Sequence, residues 1–299
     1  MIVITGATGH TGRPAAEALL ARGEKVRVVG RDAHKLEPLA QRGAEVFAGE
    51  PSDAAAMTKA LTGADVVYLV VPQAHVDDMR AFQETVTGAY AAAVAAAKPR
   101  HVVALSSIGA QHPEKTGPIV GLHNMEQKLN EIAGLNVLYL RPTQFMENLL
   151  MNIAPLRMMG SLPGAAPGDV PHQWIATRDI GAYAAKRLAA RDFSGSSVQE
   201  LFGPRDVTWK EIASMMGAAI GKPGMGYMQV PFIMLEPALA QIGMSKKMAA
   251  LMVEMLKAAN AGMLNPTQPR TAENTTPTTM EWFIKEVFAP AYSAKAGTA

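Results

Sequence analysis

The stretch that decides the fold is Gly6-Ala7-Thr8-Gly9-His10-Thr11-Gly12, which joins a short apolar run at residues 1–4 to a helical segment. Its glycines let the backbone approach a pyrophosphate, while the N–H groups at the start of the following helix attract negative charge. A glycine motif in this position, directly after a strand and before a helix, predicts dinucleotide binding. The residues expected to contact the dinucleotide are Gly6, Thr8, Gly9, His10, Thr11 and Gly12.

Short β-branched runs alternate with helical segments from residue 1 to about residue 141. This alternation is typical of repeated βαβ units and a buried parallel sheet. The predicted strands lie at residues 2–5, 25–29, 45–48, 66–71, 101–106 and 136–141. We therefore predict an α/β fold with a doubly wound, mostly parallel Rossmann sheet over residues 1–150.

The texture of the chain changes after Pro142, where prolines and glycines cluster. Residues 174–178 then predict a strand, and the helix behind it would take its N-cap oxygen from Thr177 or Asp179. We expect this part, residues 172–202, to return to the Rossmann domain. The smaller, mainly helical, substrate-binding lobe is predicted at residues 151–171 and 203–299.

Methionine is unevenly distributed, since 15 of the 19 methionines lie at or after position 146. The flexible thioether suits an apolar pocket that adapts to flat or varied hydrophobic ligands. The same residues could instead fill gaps in an ordinary helical core, and the sequence leaves both interpretations open.

Composition excludes several classes of function. A formal net charge of +2 without a long Lys/Arg run predicts neither a nucleic-acid partner nor binding to a membrane surface, which leaves a small molecule. The absence of cysteine excludes disulfides, thiolate metal sites and cysteine nucleophiles, and we identify no metal site. No basic leader precedes the first strand, and no apolar run reaches the roughly 18 residues of a spanning helix, so we expect a cytoplasmic protein.

The end of the second predicted strand indicates which dinucleotide binds. NAD-specific domains usually present a carboxylate there to the ribose 2′-hydroxyl, whereas this chain has Arg31. A guanidinium can pair with the 2′-phosphate of NADP, and His34 and Lys35 are close enough in sequence to assist. Asp32 supports the alternative, because its carboxylate could reach the ribose and favour NAD. The sequence therefore predicts NADP(H) in preference to NAD(H).

Several further segments carry a resemblance to a known family. They are Leu105-Ser106-Ser107-Ile108-Gly109-Ala110, Leu140-Arg141-Pro142-Thr143-Gln144-Phe145-Met146-Glu147-Asn148, residues 174–181 and Asn274-Thr275-Thr276-Pro277-Thr278-Thr279. With the glycine loop and Arg31, the chain resembles the NmrA-like family of atypical short-chain dehydrogenase/reductases over nearly its whole length. The resemblance implies an NAD(P)-binding Rossmann fold. Some members reduce quinones, azo dyes, triphenylmethane dyes or phenolic compounds with NADPH, and others bind the nucleotide only to sense redox state and regulate partners.

The resemblance also indicates which residues to expect near the nicotinamide. In the superfamily, a serine after the fifth strand and a Tyr-x-x-x-Lys pair on the next helix polarise a carbonyl and supply its proton. Ser106 and Ser107 match the serine position, and Lys128 matches the lysine that holds the nicotinamide ribose. Asn124 stands at the tyrosine position and cannot act as a general acid. His123 is the alternative catalytic donor, although Lys128 and His123 could equally be an ordinary surface lysine and a helix-start residue.

Four other residues are expected to shape the cleft. Val71 and Pro72 end the fourth predicted strand at the carboxyl edge of the sheet, where they would contact the cofactor. Phe145 and Trp174 are candidates for an aromatic wall of the substrate pocket, with plain packing as the alternative.

The missing phenol shapes the functional hypothesis. It argues against carbonyl-to-alcohol interconversion, whereas a quinone or similar conjugated acceptor forms a stabilised anion that water can protonate. We therefore expect an NADPH-dependent oxidoreductase that transfers hydride to a quinone-like or other conjugated aromatic acceptor, a small hydrophobic molecule. The alternative is a non-catalytic, NADP(H)-sensing regulatory protein. The sequence leaves a homodimer or a regulatory protein partner open.

Overall fold

The computed structural model describes residues 1–74, 76–241 and 243–294 of the chain. Its first half alternates strands with helices, as the sequence predicts. In chain order the elements are β1 (Ile2–Ile4), α1 (Gly12–Leu20), β2 (Val26–Gly30), a 3-10 helix (His34–Leu36), α2 (Glu37–Ala40), β3 (Glu45–Ala48), α3 (Ala54–Leu61), β4 (Val66–Leu69), α4 (Met79–Ala97), β5 (His101–Leu105), α5 (Ile119–Asn130) and β6 (Asn136–Pro142).

The second half mixes short strands with helices. Its elements are β7 (Gln144–Phe145), a 3-10 helix (Met146–Asn152), α6 (Ile153–Met159), β8 (Leu162–Gly164), β9 (Pro171–Ile175), α7 (Thr177–Ala190), β10 (Ser196–Leu201), β11 (Asp206–Thr208), α8 (Trp209–Ala219), β12 (Tyr227–Gln229), α9 (Phe232–Gln241), α10 (Lys246–Asn260), α11 (Met280–Phe283), a π-helix (Ile284–Phe288) and α12 (Ala289–Ser293).

Seven parallel strands form the large sheet in the order β10-β6-β5-β4-β1-β2-β3. The chain adds β2 and β3 on one side of β1 and the remaining strands on the other, so the strand order reverses between β1 and β4. This doubly wound arrangement confirms the predicted Rossmann fold. All six strands predicted from the sequence lie in this sheet, because β-branched residues pack well between two helical layers.

Helices cover both faces of the large sheet. Ile2 and Ile4 of β1 pack with α1 and α7, while Val3 between them packs with α3, α4 and α5 on the opposite face. This alternation follows from the period of two residues in a strand. Within the described ranges, no helix combines the length and the apolar composition needed to cross a lipid bilayer.

The sequence does not predict the strand β10, because Ser196-Ser197-Val198-Gln199-Glu200-Leu201 is mostly polar. It pairs in parallel with β6 and forms one edge of the large sheet. An edge strand has a neighbour on one side only, so the continuous apolar run of a central strand is not required there.

Two local expectations for residues 172–202 are wrong. The strand β9 pairs with β7 and β11 in a small three-stranded sheet. The helix α7 packs on the large sheet, and β10 is one of its strands. No side chain within α7 or at its N-cap caps the helix: the Thr177 N–H donates to both oxygens of Glu147, at 3.0 and 3.1 Å. Asp179 accepts hydrogen bonds from the N–H and hydroxyl of Thr278, each at 2.8 Å. Distant segments therefore decide how this helix begins.

The smaller lobe has a core of its own, in which Trp174 of β9, Trp209 of α8 and Phe283 of α11 pack together. The C-terminal part of the chain then crosses back to the sheet domain. Buried Glu200 accepts hydrogen bonds from the Thr267 N–H and hydroxyl at 2.8 to 3.0 Å. These bonds hold the lobe against the carboxyl end of β10.

Candidate functional site

Hydrogen bonds connect the carboxyl ends of β1 and β4 at the crevice where the strand order reverses. Thr5, directly after β1, donates its hydroxyl to Tyr68 O at 3.1 Å and accepts the Val70 N–H at 2.9 Å. Tyr90 of α4 donates its phenol to Val70 O at 3.0 Å. The carboxyl ends of β1 and β4 are thus fixed relative to each other at the place where open α/β sheets bind ligands.

The three glycines of the loop serve different purposes. Gly6 has φ +61°, a conformation that side chains disfavour. A Cβ on Gly12 would lie 2.3 Å from Gly6 O, so the start of α1 packs directly on the loop backbone. A Cβ on Gly9 would approach only Gly6 O, at 3.2 Å. The fold therefore requires Gly6 and Gly12, whereas the exposed Gly9 keeps the tip of the loop open to a ligand.

The loop offers unpaired donors to an anion. Thr8, Gly9 and His10 are exposed, and Thr11 caps α1 without a side-chain hydrogen bond. Among the described residues, no acceptor pairs with the N–H groups of His10, Thr11 or Gly12. Free N–H groups at a helix N-terminus suit a phosphate, so these residues fit a dinucleotide.

Arg31 and Asp32 differ in how they are engaged. Arg31 is exposed and forms no ion pair with any described residue. Asp32 Oδ1 accepts the His34 N–H at 3.0 Å, which turns this carboxylate toward its own loop. The His34 ring bonds Glu37 at 3.1 Å, and this hydrogen bond raises the pKa of His34. Arg31 is therefore available to an added anion, and so is Lys35, which is exposed in the same loop.

A buried ionic network that is not among the sequence-based predictions lies behind the end of β5. Ser106 donates its hydroxyl to Glu126 of α5, and Arg141 of β6 donates to both oxygens of the same carboxylate, from Nε at 2.9 Å. The sequence carries one signal for it, since Glu126 occupies an inward position of α5 between the buried Met125 and Leu129.

This network changes what Ser106 can do. Ser106 is buried and its only hydrogen is donated to Glu126, so the expected contact of Ser106 with a cofactor is not supported by the geometry. Ser107 is half-buried and donates to Ile108 O at 2.9 Å. Ser107 is therefore the more accessible of the two serines.

Lys128 and Asn124 share one face of α5, as their spacing predicts, but this face meets α4. Lys128 Nζ pairs with Glu84 at 2.6 Å, and Asn124 Nδ2 lies 3.5 Å from the same carboxylate. The hydrogen bond from Lys128 holds the pKa of Glu84 below its usual value. The structure thus joins Lys128 to α4 and not to the glycine loop.

His123 lies on the other side of α5, where its Nδ1 is 2.8 Å from Ala110 O. A carbonyl oxygen only accepts, so Nδ1 carries the hydrogen and Nε2 of the neutral ring is an acceptor. His123 can therefore donate a proton through Nε2 only as the imidazolium.

The phenols nearest the crevice are poor proton donors. Burial raises the pKa of Tyr90 to about 12 and also raises that of Tyr68, which is fully buried. Tyr139 is bonded to Glu126 O and Asn130, again inside the protein. None of these three can take the role of the tyrosine whose sequence position Asn124 occupies.

The expected cleft-lining residues have different environments. Val71, Pro72 and Phe145 are half-buried at the carboxyl edge of the sheet, where they remain available to a ligand. Trp174 is fully buried and packs edge-on against Trp209, with ring centroids 5.1 Å apart. Trp174 is therefore a packing residue of the smaller lobe, and its expected place in a substrate wall is corrected.

The smaller lobe closes over the loop that follows β5. A Cβ on Gly109 would lie 2.3 Å from Leu264, and one on Gly117 would lie 2.2 Å from Leu251 O. Both glycines have positive φ, at +86° and +59°. Glu254 of α10 accepts the Gly117 N–H at 3.1 Å. Close packing of this kind places α10 beside the carboxyl edge of the large sheet.

In the parts of the chain that the structure describes, no three His, Asp or Glu side chains converge, so these parts contain no ligand set for a metal ion.

The sequence pattern of the NmrA-like family matches residues 1–284. The chain belongs to the NmrA-like family. This finding confirms the resemblance carried by the glycine loop and by the segments after β5 and β6.

Relatives of this NmrA-like chain include two reductases. It is 32% identical over 224 residues to (4-alkanoyl-5-oxo-2,5-dihydrofuran-3-yl)methyl phosphate reductase of Streptomyces griseus, over 75% of each chain. It is 28% identical over 305 residues to NAD(P)H azoreductase of Xenophilus azovorans, over 100% of each chain. The crystal structure of an NADPH-dependent quinone oxidoreductase of Escherichia coli in complex with NADPH matches with a TM-score of 0.79 at 24% identity, over 96% of this chain and 100% of that chain. The last likeness confirms the fold.

Proposed function

We propose that this NmrA-like protein is an NADPH-dependent oxidoreductase that passes hydride to a small hydrophobic acceptor with a conjugated, electron-poor double bond. The observation that carries the proposal is the glycine loop at the sheet crevice, whose free N–H groups lie at the start of α1. The two reductases among the relatives support a redox reaction.

The chemistry of the relatives' substrates supports the acceptor class. The acylated dihydrofuranone in the first relative's name contains a C=C double bond conjugated to two carbonyl groups, and an azo group is an N=N double bond between two electronegative atoms. A reduced nicotinamide supplies the hydride. The resulting anion is delocalised, so water can protonate it without a positioned general acid. Such an acceptor suits a crevice whose nearby phenols, Tyr68 and Tyr90, are buried and cannot supply a proton readily.

The smaller lobe supplies apolar surface for such an acceptor. The helix α9 is rich in apolar side chains yet has no buried residue, and Ile233 and Met234 are 86% and 59% exposed. Met228, in the strand just before α9, is also exposed. Burying this surface against a hydrophobic ligand is favourable, and methionine adapts to varied shapes.

Turnover tests the proposal directly. Purified protein is mixed with NADPH and a panel of quinones, azo compounds and enals, and the loss of nicotinamide absorbance is followed. We expect oxidation of NADPH faster than without enzyme for at least one acceptor. Tight binding of NADPH without turnover of any acceptor would contradict the proposal and support the nucleotide-sensing alternative.

Arg31→Ala tests which nicotinamide cofactor the site prefers. We expect binding of NADP(H) to weaken by about 1.5 to 3 kcal/mol, the range for hydrogen bonds to charged groups, and binding of NAD(H) to change little. Calorimetric titration of both cofactors measures this difference. Arg22→Ala, which removes an exposed arginine beyond the far end of α1, is the matched control. Equal weakening of both cofactors would contradict the assignment of Arg31 to the 2′-phosphate.

A further inference from the structure

A second cleft opens beside the glycine loop, between the N-terminal ends of α1 and α7. The residues that matter in its lining are Thr8, His10, Arg13, Glu147, Arg178 and Trp282. The two helices meet closely here, because a Cβ on Gly181 of α7 would lie 2.5 Å from Thr11 O. The exposed tip of the glycine loop therefore forms one wall of a cleft whose opposite wall is α7.

Arg178 is a cation held in place by an aromatic ring, and none of the described residues supplies it with an anionic partner. Its guanidinium lies over the ring of Trp282, 4.7 Å from the centroid. It forms no hydrogen bond or ion pair with any described residue, so its N–H donors are free. Stacking on an aromatic ring orders the planar group and leaves its edge available for a ligand.

The charges around the cleft favour an anion. Arg13 is exposed, and its nearest carboxylate is Glu17 at 3.4 Å. Glu147 is the carboxylate of the lining, and both of its oxygens already accept the Thr177 N–H at the start of α7. The lining of the cleft thus holds two guanidinium groups and one carboxylate, which is already hydrogen-bonded.

We propose that Arg178 binds the pyrophosphate of NADP(H) across this cleft, with Arg13 as a second cation and Trp282 as the residue that positions Arg178. The inference rests on the proposed function. A guanidinium presents paired N–H donors that match phosphate oxygens. Because NAD(H) and NADP(H) share the pyrophosphate, Arg178 contributes equally to both, whereas Arg31 acts on the 2′-phosphate alone.

Calorimetric titration with NADP⁺, NAD⁺ and adenosine 2′-monophosphate tests the assignment. Arg178→Ala is expected to weaken NADP⁺ and NAD⁺ by about tenfold each, as the loss of one charged hydrogen bond predicts. The affinity for adenosine 2′-monophosphate, which has no pyrophosphate, is expected to stay unchanged. Arg178→Lys keeps the charge and should recover part of the loss. Trp282→Ala should weaken both dinucleotides less than Arg178→Ala does, and should add little to it in the double variant.

Arg22→Ala serves again as the matched control, and an unchanged melting temperature shows that each variant is folded. Equal affinities of wild type and Arg178→Ala for both dinucleotides would overturn the role of Arg178 while the proposed function stands. A loss confined to NADP⁺ and adenosine 2′-monophosphate would also overturn it, because Arg178 would then act at the 2′-phosphate. Failure of the wild-type protein to bind any of the three nucleotides would contradict the proposed function itself.

Discussion

Glu126→Leu is expected to lower the free energy of unfolding by about 3 to 5 kcal/mol, the usual cost of removing one partner from a buried ion pair. Glu126 and Arg141 are 3% and 9% exposed, so the guanidinium left behind would be buried without a counter-charge. The hydroxyl of Ser106 would lose its acceptor as well. Urea denaturation at neutral pH measures the change.

Two further variants test whether the loss of stability comes from a buried, unpaired charge or from the loss of any ion pair. In Glu126→Leu with Arg141→Met, both charges are gone, and we expect most of the lost stability to return. Lys128 lies on α5 like Glu126, and Lys128→Ala breaks its more exposed ion pair with Glu84 of α4, which should cost no more than about 1 kcal/mol. A loss for Glu126→Leu as small as that for Lys128→Ala would show that the network contributes little to the stability of the sheet.

Gly12→Ala is expected to abolish most nucleotide binding, because its Cβ would lie 2.3 Å from the carbonyl oxygen of Gly6. Either the loop or the start of α1 must move, and the N–H groups of the loop then lose their common direction. Losing two charge-assisted hydrogen bonds at about 1.5 to 3 kcal/mol each corresponds to at least roughly a hundredfold in Kd. Overpacking should also lower stability by about 1 to 3 kcal/mol. Calorimetry with NADP⁺ and thermal denaturation check both effects.

Gly88→Ala provides the matched control for that experiment. Gly88 lies inside α4, and a Cβ there would meet no described atom within 4 Å apart from the backbone of the helix itself. We expect this variant to bind NADP⁺ normally and to gain about 0.5 to 1 kcal/mol in stability, because alanine favours a helix interior more than glycine does. Normal binding by Gly12→Ala would mean that the loop tolerates a side chain at its third glycine.

The six strands, the glycine loop and the family are readable from the sequence because each depends on local patterns. A buried parallel strand must be a short β-branched run, and the turn from β1 into α1 requires glycine at fixed positions. The mainly polar β10 cannot be predicted in this way, since a strand at the edge of a sheet does not need an apolar pattern.

The roles of individual polar side chains depend on contacts between segments far apart in the chain. Lys128 keeps its predicted helix face, yet Glu84 on α4 determines what that face meets. The sequence makes Trp174 a candidate for an aromatic wall of the substrate pocket, but in the fold Trp209 packs against it. No sequence pattern places one partner of such a pair beside the other.

By itself, then, the sequence determined the doubly wound sheet and the dinucleotide loop at its crevice, because backbone geometry and strand burial act over a few residues. Only the tertiary structure decided that Ser106 and Arg141 both donate to Glu126, and that Arg178 stacks on Trp282 beside the loop. The physical reason is that hydrogen bonding, burial and stacking depend on which segments pack together, and packing is a property of the whole chain.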